Sequence, residues 1–245
     1  MSLAVLAGGA AALADGAEVD KSPKAILADL QRDLGKVKSY HVVVSTKAKG
    51  ASTRVSGEVL ASGSADIAVR DRKGSVRMII LPRAVYMKAD ANYWRSTGGS
   101  SGEAIARKLA NRWVKVPASV GAEVKPLVTK LSPKHLASCV AISTGTLSNN
   151  GLRTIGGRQV IELEDKGDRP GTSPGMLYVA AHGRVLPLRE TQTGPRRAGG
   201  KRDKRCEEAG DQTSGAEITF SRFDAISRIA APRGALSLEG SGTEA

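Results

Sequence analysis

Tyr40-His41-Val42-Val43-Val44-Ser45-Thr46-Lys47 opens a run of five segments with strand character: Tyr40–Lys49, Thr53–Leu60, Ala65–Asp71, Ser75–Leu81 and Ala84–Ala89. Between them stand Lys49-Gly50, Ser62-Gly63, Arg72-Lys73-Gly74 and Leu81-Pro82-Arg83, the residue types of tight turns. Connections this short join only antiparallel neighbours, so the segments form a meander. In Tyr40–Lys47 and in Ser75-Val76-Arg77-Met78-Ile79-Ile80, one side chain in two is apolar. The sheet therefore has one dry face and one wet face.

Upstream, the period is that of a helix. Lys24–Leu34 places Ile26, Leu27, Leu30 and Leu34 on one side, with Ser22 as N-cap, Pro23 at the first position and Gly35 as the stop. Downstream, Ser101–Asn111 has Ile105 and Leu109 four apart, again helical. The short run Arg112–Pro117 follows, then a second helical region over Val120–Leu131 broken at Pro126. A third opens at Ser132-Pro133 and carries His135, Leu136, Cys139 and Val140. Strands return at Arg158–Glu164, Gly175–Ala181, Leu186–Thr193 and Ala216–Phe223. Neither a fixed repeat nor a linker divides the chain. The expected organisation is one domain over residues 22–232, of class α+β, with strands on both sides of a helical insertion. Residues 1–21 read as a signal-peptide remnant or disordered N-terminus, and the Gly/Ser-rich residues 233–245 as a disordered tail.

Aromatic residues make up only 3% of the chain, so its core must be filled by Val, Ile, Leu and Ala. The formal net charge is +13, which suits nucleic acid, an anionic membrane surface or acidic cell-wall polymers. The densest basic run, Arg196–Arg205, contains no aromatic ring for base stacking and is flanked by Gly and Pro. It reads as a solvated hairpin loop, with peripheral contact to anionic headgroups as the second reading. No specific nucleic-acid partner is expected.

Leu3–Ala14 is apolar and Ala-rich but too short to span a bilayer. It resembles the end of a secretory signal. Leu6-Ala7-Gly8 matches the three positions before a bacterial lipoprotein cysteine, yet Gly9 stands where that cysteine belongs. The start is therefore a clipped lipoprotein signal, an ordinary signal cleaved after Ala14, or a plain hydrophobic helix. In an exported chain Cys139 and Cys206, the only two cysteines, are expected to pair. Closing so long a loop stabilises by roughly 4 kcal/mol.

Catalytic chemistry requires a convergent nucleophile, base or metal. His41 lies in a strand, His135 in a helix and His182 beside Gly183 in a turn, none at ligand spacing from another. Ser96–Gly102 lacks the strand–elbow–helix context of a hydrolase serine, and its glycines lack the Lys of a phosphate loop. Glu162, Glu164 and Asp165 read as solvent-facing acids at a strand end. No catalytic residue, metal site or cofactor is expected.

Three later runs are more specific: Val85-Tyr86-Met87-Lys88-Ala89, Tyr93-Trp94, and Leu109-Ala110-Asn111-Arg112-Trp113-Val114-Lys115-Val116-Pro117. A strand ending in Tyr-x-Lys-Ala, an exposed Tyr-Trp and a helix running into Trp-Val-Lys-x-Pro resemble actinobacterial cell-envelope lipoproteins of the LppX/LprG group. Gly157–Ile161, Leu177–Ala180, Leu186–Arg189 and Ile229–Pro232 fit the same layout in order, so the resemblance spans about residues 22–232. It implies a LolA/LolB-like fold, a strongly curved antiparallel β half-barrel with helices covering the concave face. It also implies an extracytoplasmic, non-enzymatic carrier of a lipid or lipidated molecule held between sheet and helices. Met78, Ile79, Leu109, Leu127 and Leu136 are candidate cavity-lining residues, though plain core is the stronger reading of each. Tyr93 and Trp94 either touch a membrane interface or cap the barrel edge. The expected state is a monomer. The alternative is a basic structural or interaction protein of the cell wall with no internal ligand.

Overall fold

The computed structural model describes residues 18–48, 50–140, 144–199, 206 and 215–237. The expected signal remnant falls mostly outside the described residues, as do residues 200–205 of the basic run.

Ser22 caps helix α1 (Pro23–Leu34), its hydroxyl accepting from the Ala25 N–H at 3.3 Å. Pro23 at the first position has no N–H to leave unpaired. The face formed by Ile26, Leu27, Leu30 and Leu34 is buried as the spacing predicts. Each such side chain contributes about 1.5–3 kcal/mol.

Five antiparallel strands follow: β1 (Ser39–Ala48), β2 (Ala51–Leu60), β3 (Ala65–Asp71), β4 (Gly74–Leu81) and β5 (Ala84–Ala89). The meander read from the sequence is therefore present. Gly74 joins β3 to β4 at φ 132°, and a Cβ there would sit 2.4 Å from Asp90 Oδ1 and 2.5 Å from the Tyr93 nitrogen. Only glycine satisfies both the backbone and the close approach.

The helical insertion comprises α2 (Ala91–Thr97), α3 (Gly102–Leu109), α4 (Ala118–Lys130) and α5 (Pro133–Val140), with the two-residue strand β6 (Val114–Lys115) after α3. Helix α2 carries Tyr93 and Trp94. Asp90 nucleates it, accepting from the Tyr93 N–H through Oδ1 at 2.8 Å and from the Ser75 N–H through Oδ2 at 2.8 Å. Trp94 is consequently buried against Val76, Ala89 and Ala106, which corrects the expectation of an exposed Tyr-Trp. Helix α4 runs through Pro126 without a break. Pro126 and Ala122, whose carbonyl loses its partner, are both exposed, so water can take the missing bond.

The chain then forms β7 (Leu147–Ile155), β8 (Arg158–Lys166), β9 (Pro174–Ala180), β10 (Pro187–Gln192), β11 (Ala216–Ser221) and β12 (Leu236–Ser237). The strand order is β12-β6-β5-β4-β3-β2-β1-β11-β10-β9-β8-β7. Two meanders thus meet where β1 pairs with β11, forming one open sheet. The architecture is the expected α+β half-barrel. Strand β7 has no counterpart in the sequence reading, because Asn149-Asn150-Gly151 looks like a turn. It is a bulge: the pairing with β8 shifts between Asn149 and Leu152, and Gly151 adopts φ 80°. Leu236–Ser237, within the expected tail, pair in parallel with β6, while residues 238–245 lie outside the described residues.

The dry face is continuous across the sheet. Register aligns Tyr40, Val59, Ala65, Ile80 and Val85 in one row, and Val42, Gly57, Ile67, Met78 and Met87 in the next. Leu34 from α1, Val128 from α4 and Ala137 from α5 pack on these rows. At the centre Tyr40 is fully buried, and its hydroxyl donates to the Leu131 carbonyl. Its ring lies 5.9 Å from that of Phe220 and 6.3 Å from that of Phe223. Burial pushes the phenol pKa upward, so Tyr40 stays a neutral donor.

Candidate functional site

Both meanders pack against helices: Leu34, Val128 and Ala137 lie on β1–β5, and Ile26, Leu27 and Leu30 of α1 lie on Ile161, Leu163, Leu177 and Val179 of β8 and β9. Beside that second cluster a groove with a cavity volume of about 150 Å³, open to solvent, lies between β8–β11 and helices α1 and α5.

Apolar side chains make its interior: Leu34 from α1, Leu136 and Val140 from α5, and Leu147, Leu177 and Phe220 from the sheet. Strand alternation explains the sheet residues. Antiparallel partners point to the same face, so Leu177 opposite Glu190, and Glu190 opposite Ile218, both face the helices. Ile218 belongs to the same row as Val44, Val55 and Val69, all half-buried. The apolar row therefore continues from the groove along the concave face.

The rim is polar. Gln192 donates to Ser173 Oγ and to the Gly194 carbonyl, both at 3.0 Å. Asp165 accepts from the Gly145 N–H at 2.9 Å and from the Gly167 N–H at 2.8 Å. Asp168 accepts from the Thr146 N–H at 2.7 Å, and hydrogen bonding from Thr146 holds its carboxyl below the ordinary range. These bonds fix the loops at one end of the groove. Asp165, Glu190 and Arg196 are the charged residues of the lining.

The wall on the α5 side is covalently secured. Cys139 and Cys206 form a disulfide with Cα atoms 5.3 Å apart, as the sequence predicted, and Cys139 itself lines the groove. The bridge ties α5 to Cys206, in the connection between β10 and β11.

Of the residues expected to line a cavity, Leu136 lies in the groove. Met78 packs under β4 in the closed half of the core, and Leu109 packs beside Trp94. Ile79 points to the opposite face from Met78, since neighbours in a strand alternate, so the two never share one cavity. Leu127 sits on α4, and its side chain lies outside the described residues. Sequence reasoning missed Leu34, Val140, Leu147, Leu177 and Phe220. Leu34, Val140, Leu177 and Phe220 stood in segments already recognised, but which rows the helices leave uncovered is set by tertiary packing.

The histidines are dispersed. His135 Nε2 lies 3.6 Å from Cys139 Sγ one helical turn on, His182 Nε2 lies 2.7 Å from Gln159 Oε1, and His41 Nδ1 lies 3.4 Å from Ser221 Oγ. Among the described residues no group of three His, Cys, Asp or Glu side chains is placed to hold a metal ion. Among them, too, no helix is long and apolar enough to cross a membrane.

The sheet and its helical cover form an α+β half-barrel whose fold is similar to that of a solved mycobacterial protein. LprF from Mycobacterium bovis superposes with a TM-score of 0.52 at 15% identity, over 86% of this chain and 98% of LprF. The Mycobacterium tuberculosis lipoprotein LppX superposes with a TM-score of 0.48 at 14% identity, over 85% of this chain and all of LppX. No protein-family model matches the sequence, and no curated protein matches it.

Proposed function

We propose that residues 22–232 form a single exported domain of the cell envelope that binds and carries a lipid or lipidated molecule without chemical change. The observation that carries this reading is the groove between β8–β11 and α1/α5, apolar within and polar at the rim. Transfer of each methylene from water into such a groove contributes about 0.8 kcal/mol, so an alkyl chain is the ligand class that gains most. The polar rim suits the end of the molecule that stays hydrated. The disulfide supports an oxidising, extracytoplasmic setting. Resemblance to envelope lipoproteins in the order of sequence motifs supports the same reading, as does the half-barrel fold.

Native mass spectrometry of the protein purified from its own host tests the proposal. The expected result is a discrete adduct that extracts into organic solvent and reloads from a lipid extract. Adduct-free protein that also takes up no fluorescent acyl probe would overturn it.

A further inference from the structure

The convex face of β2–β5, which no helix covers among the described residues, carries a cationic cluster that the acyl-binding reading leaves unused. Arg54 on β2 stands directly opposite Arg70 on β3, and Arg77 on β4 directly opposite Lys88 on β5. Like charges in facing positions destabilise a sheet, yet two such pairs lie side by side. The positions between them are small: Ser56 faces Ala68, Ala68 faces Arg77, and Arg70 faces Ser75. Long cationic arms over a floor of Ser and Ala border a trough of about 410 Å³, open on its outer side.

Acidic neighbours do not neutralise it. Asp66 engages Arg77 through two bonds of 2.7 and 2.6 Å, while Trp113 supports the same guanidinium at 5.9 Å. That contact orients Arg77 and leaves part of its donor fork free. Asp90, which also borders the trough, spends both oxygens on Ser75 and Tyr93. Among the described residues Arg54, Arg70 and Lys88 form no ion pair. The trough is lined by four cations and one acid, Asp90, while Asp66 and Glu58 act on Arg77 from beside it, so positive charge stays in excess.

We infer that this trough on the convex face of β2–β5 binds a phosphate-bearing group through Arg54, Arg70, Arg77 and Lys88. Phosphate presents several oxygens to cations arriving from different sides, and guanidinium forks match it with paired hydrogen bonds. Its binding relieves the repulsion built into the facing pairs. The group is either a soluble phosphate ester or the headgroup of an anionic phospholipid.

Calorimetric titration with pyrophosphate and sedimentation with phosphatidylglycerol vesicles, at low salt, separate the sources. The disulfide-intact full chain is compared with Arg54→Gln/Arg70→Gln and with the control Arg158→Gln/Arg233→Gln, which removes the same charge elsewhere. Saturable pyrophosphate binding, weakened at least tenfold in the first variant and less than twofold in the control, supports the site with a soluble ligand. Vesicle binding alone, with the same variant pattern, supports it with a lipid headgroup. Equal losses in both variants, equal binding of phosphate-free polyglutamate, or no binding in either assay would overturn it. Acyl-probe uptake by the first variant is expected unchanged, so this result stands apart from that for the groove.

Discussion

Replacing Cys139 and Cys206 together by Ala removes the covalent tie between α5 and the β10–β11 connection. The two residues are 67 apart in sequence, and closing a loop of that length restricts the unfolded chain by about 4 kcal/mol on the chain-entropy model. The loss has a local face as well. Helix α5 has only 8 residues, too few to hold itself, and it supplies Leu136, Cys139 and Val140 to the groove. Urea unfolding followed by far-ultraviolet circular dichroism measures the global effect. With a slope of roughly 2–3 kcal/mol/M, the midpoint should fall by about 1.5–2 M. Reduced wild type should unfold within about 1 kcal/mol of the Ala variant, which separates the crosslink from the packing of the side chains. A midpoint shift below about 0.3 M at unchanged slope would refute the reasoning, because the connection would then be held by other contacts.

Three further perturbations test the frame. Asp33 is buried, accepts from the Val185 N–H at 3.0 Å and pairs with Arg32 at 2.9 Å. Burial, the largest single influence, raises its pKa, but the bonds from Arg32 and Val185 and the nearby charges together outweigh it and leave the carboxyl below its ordinary value. A depressed folded pKa stabilises above the unfolded value near 4 and the gain is lost as pH falls through the folded value. Asp33→Asn should therefore cost about 1–2 kcal/mol at pH 7 by denaturant melts, with the difference shrinking below about pH 4. Arg70→Gln relieves the repulsion from Arg54 and should raise stability by a few tenths of a kcal/mol at low salt, an advantage that disappears in 0.5–1 M salt. Gly74→Ala forces a Cβ into Asp90 and the α2 N-terminus at positive φ, and thermal melts should show a loss of about 2 kcal/mol or more.

Much of the fold was legible because local signals agreed. Alternation in Tyr40–Lys47, the turn residues between the first five strands, and the cap, proline and stop around Lys24–Leu34 all pointed one way. The disulfide followed from there being only two cysteines in a chain expected to be exported. What escaped was set by distant contacts. Asp90 caps α2 while also holding Ser75, fifteen residues earlier, and no short window contains both ends of that arrangement. Strand β7 was hidden by a bulge whose Asn-Asn-Gly imitates a turn. The groove was the least legible part. Leu177 and Glu190 share a face only through register, and the gap left beside the cluster that α1 covers on β8 and β9 is a property of the assembled fold.

The most direct test of the central claim is a series of saturated fatty acids from ten to sixteen carbons, competed against a fluorescent acyl probe on delipidated protein. At about 0.8 kcal/mol per buried methylene, affinity should rise about fourfold for each added carbon until the groove is full. Leu136→Glu, which sets a carboxylate on the groove wall, should flatten the series. Affinities independent of chain length, or a series unchanged by Leu136→Glu, would contradict the account.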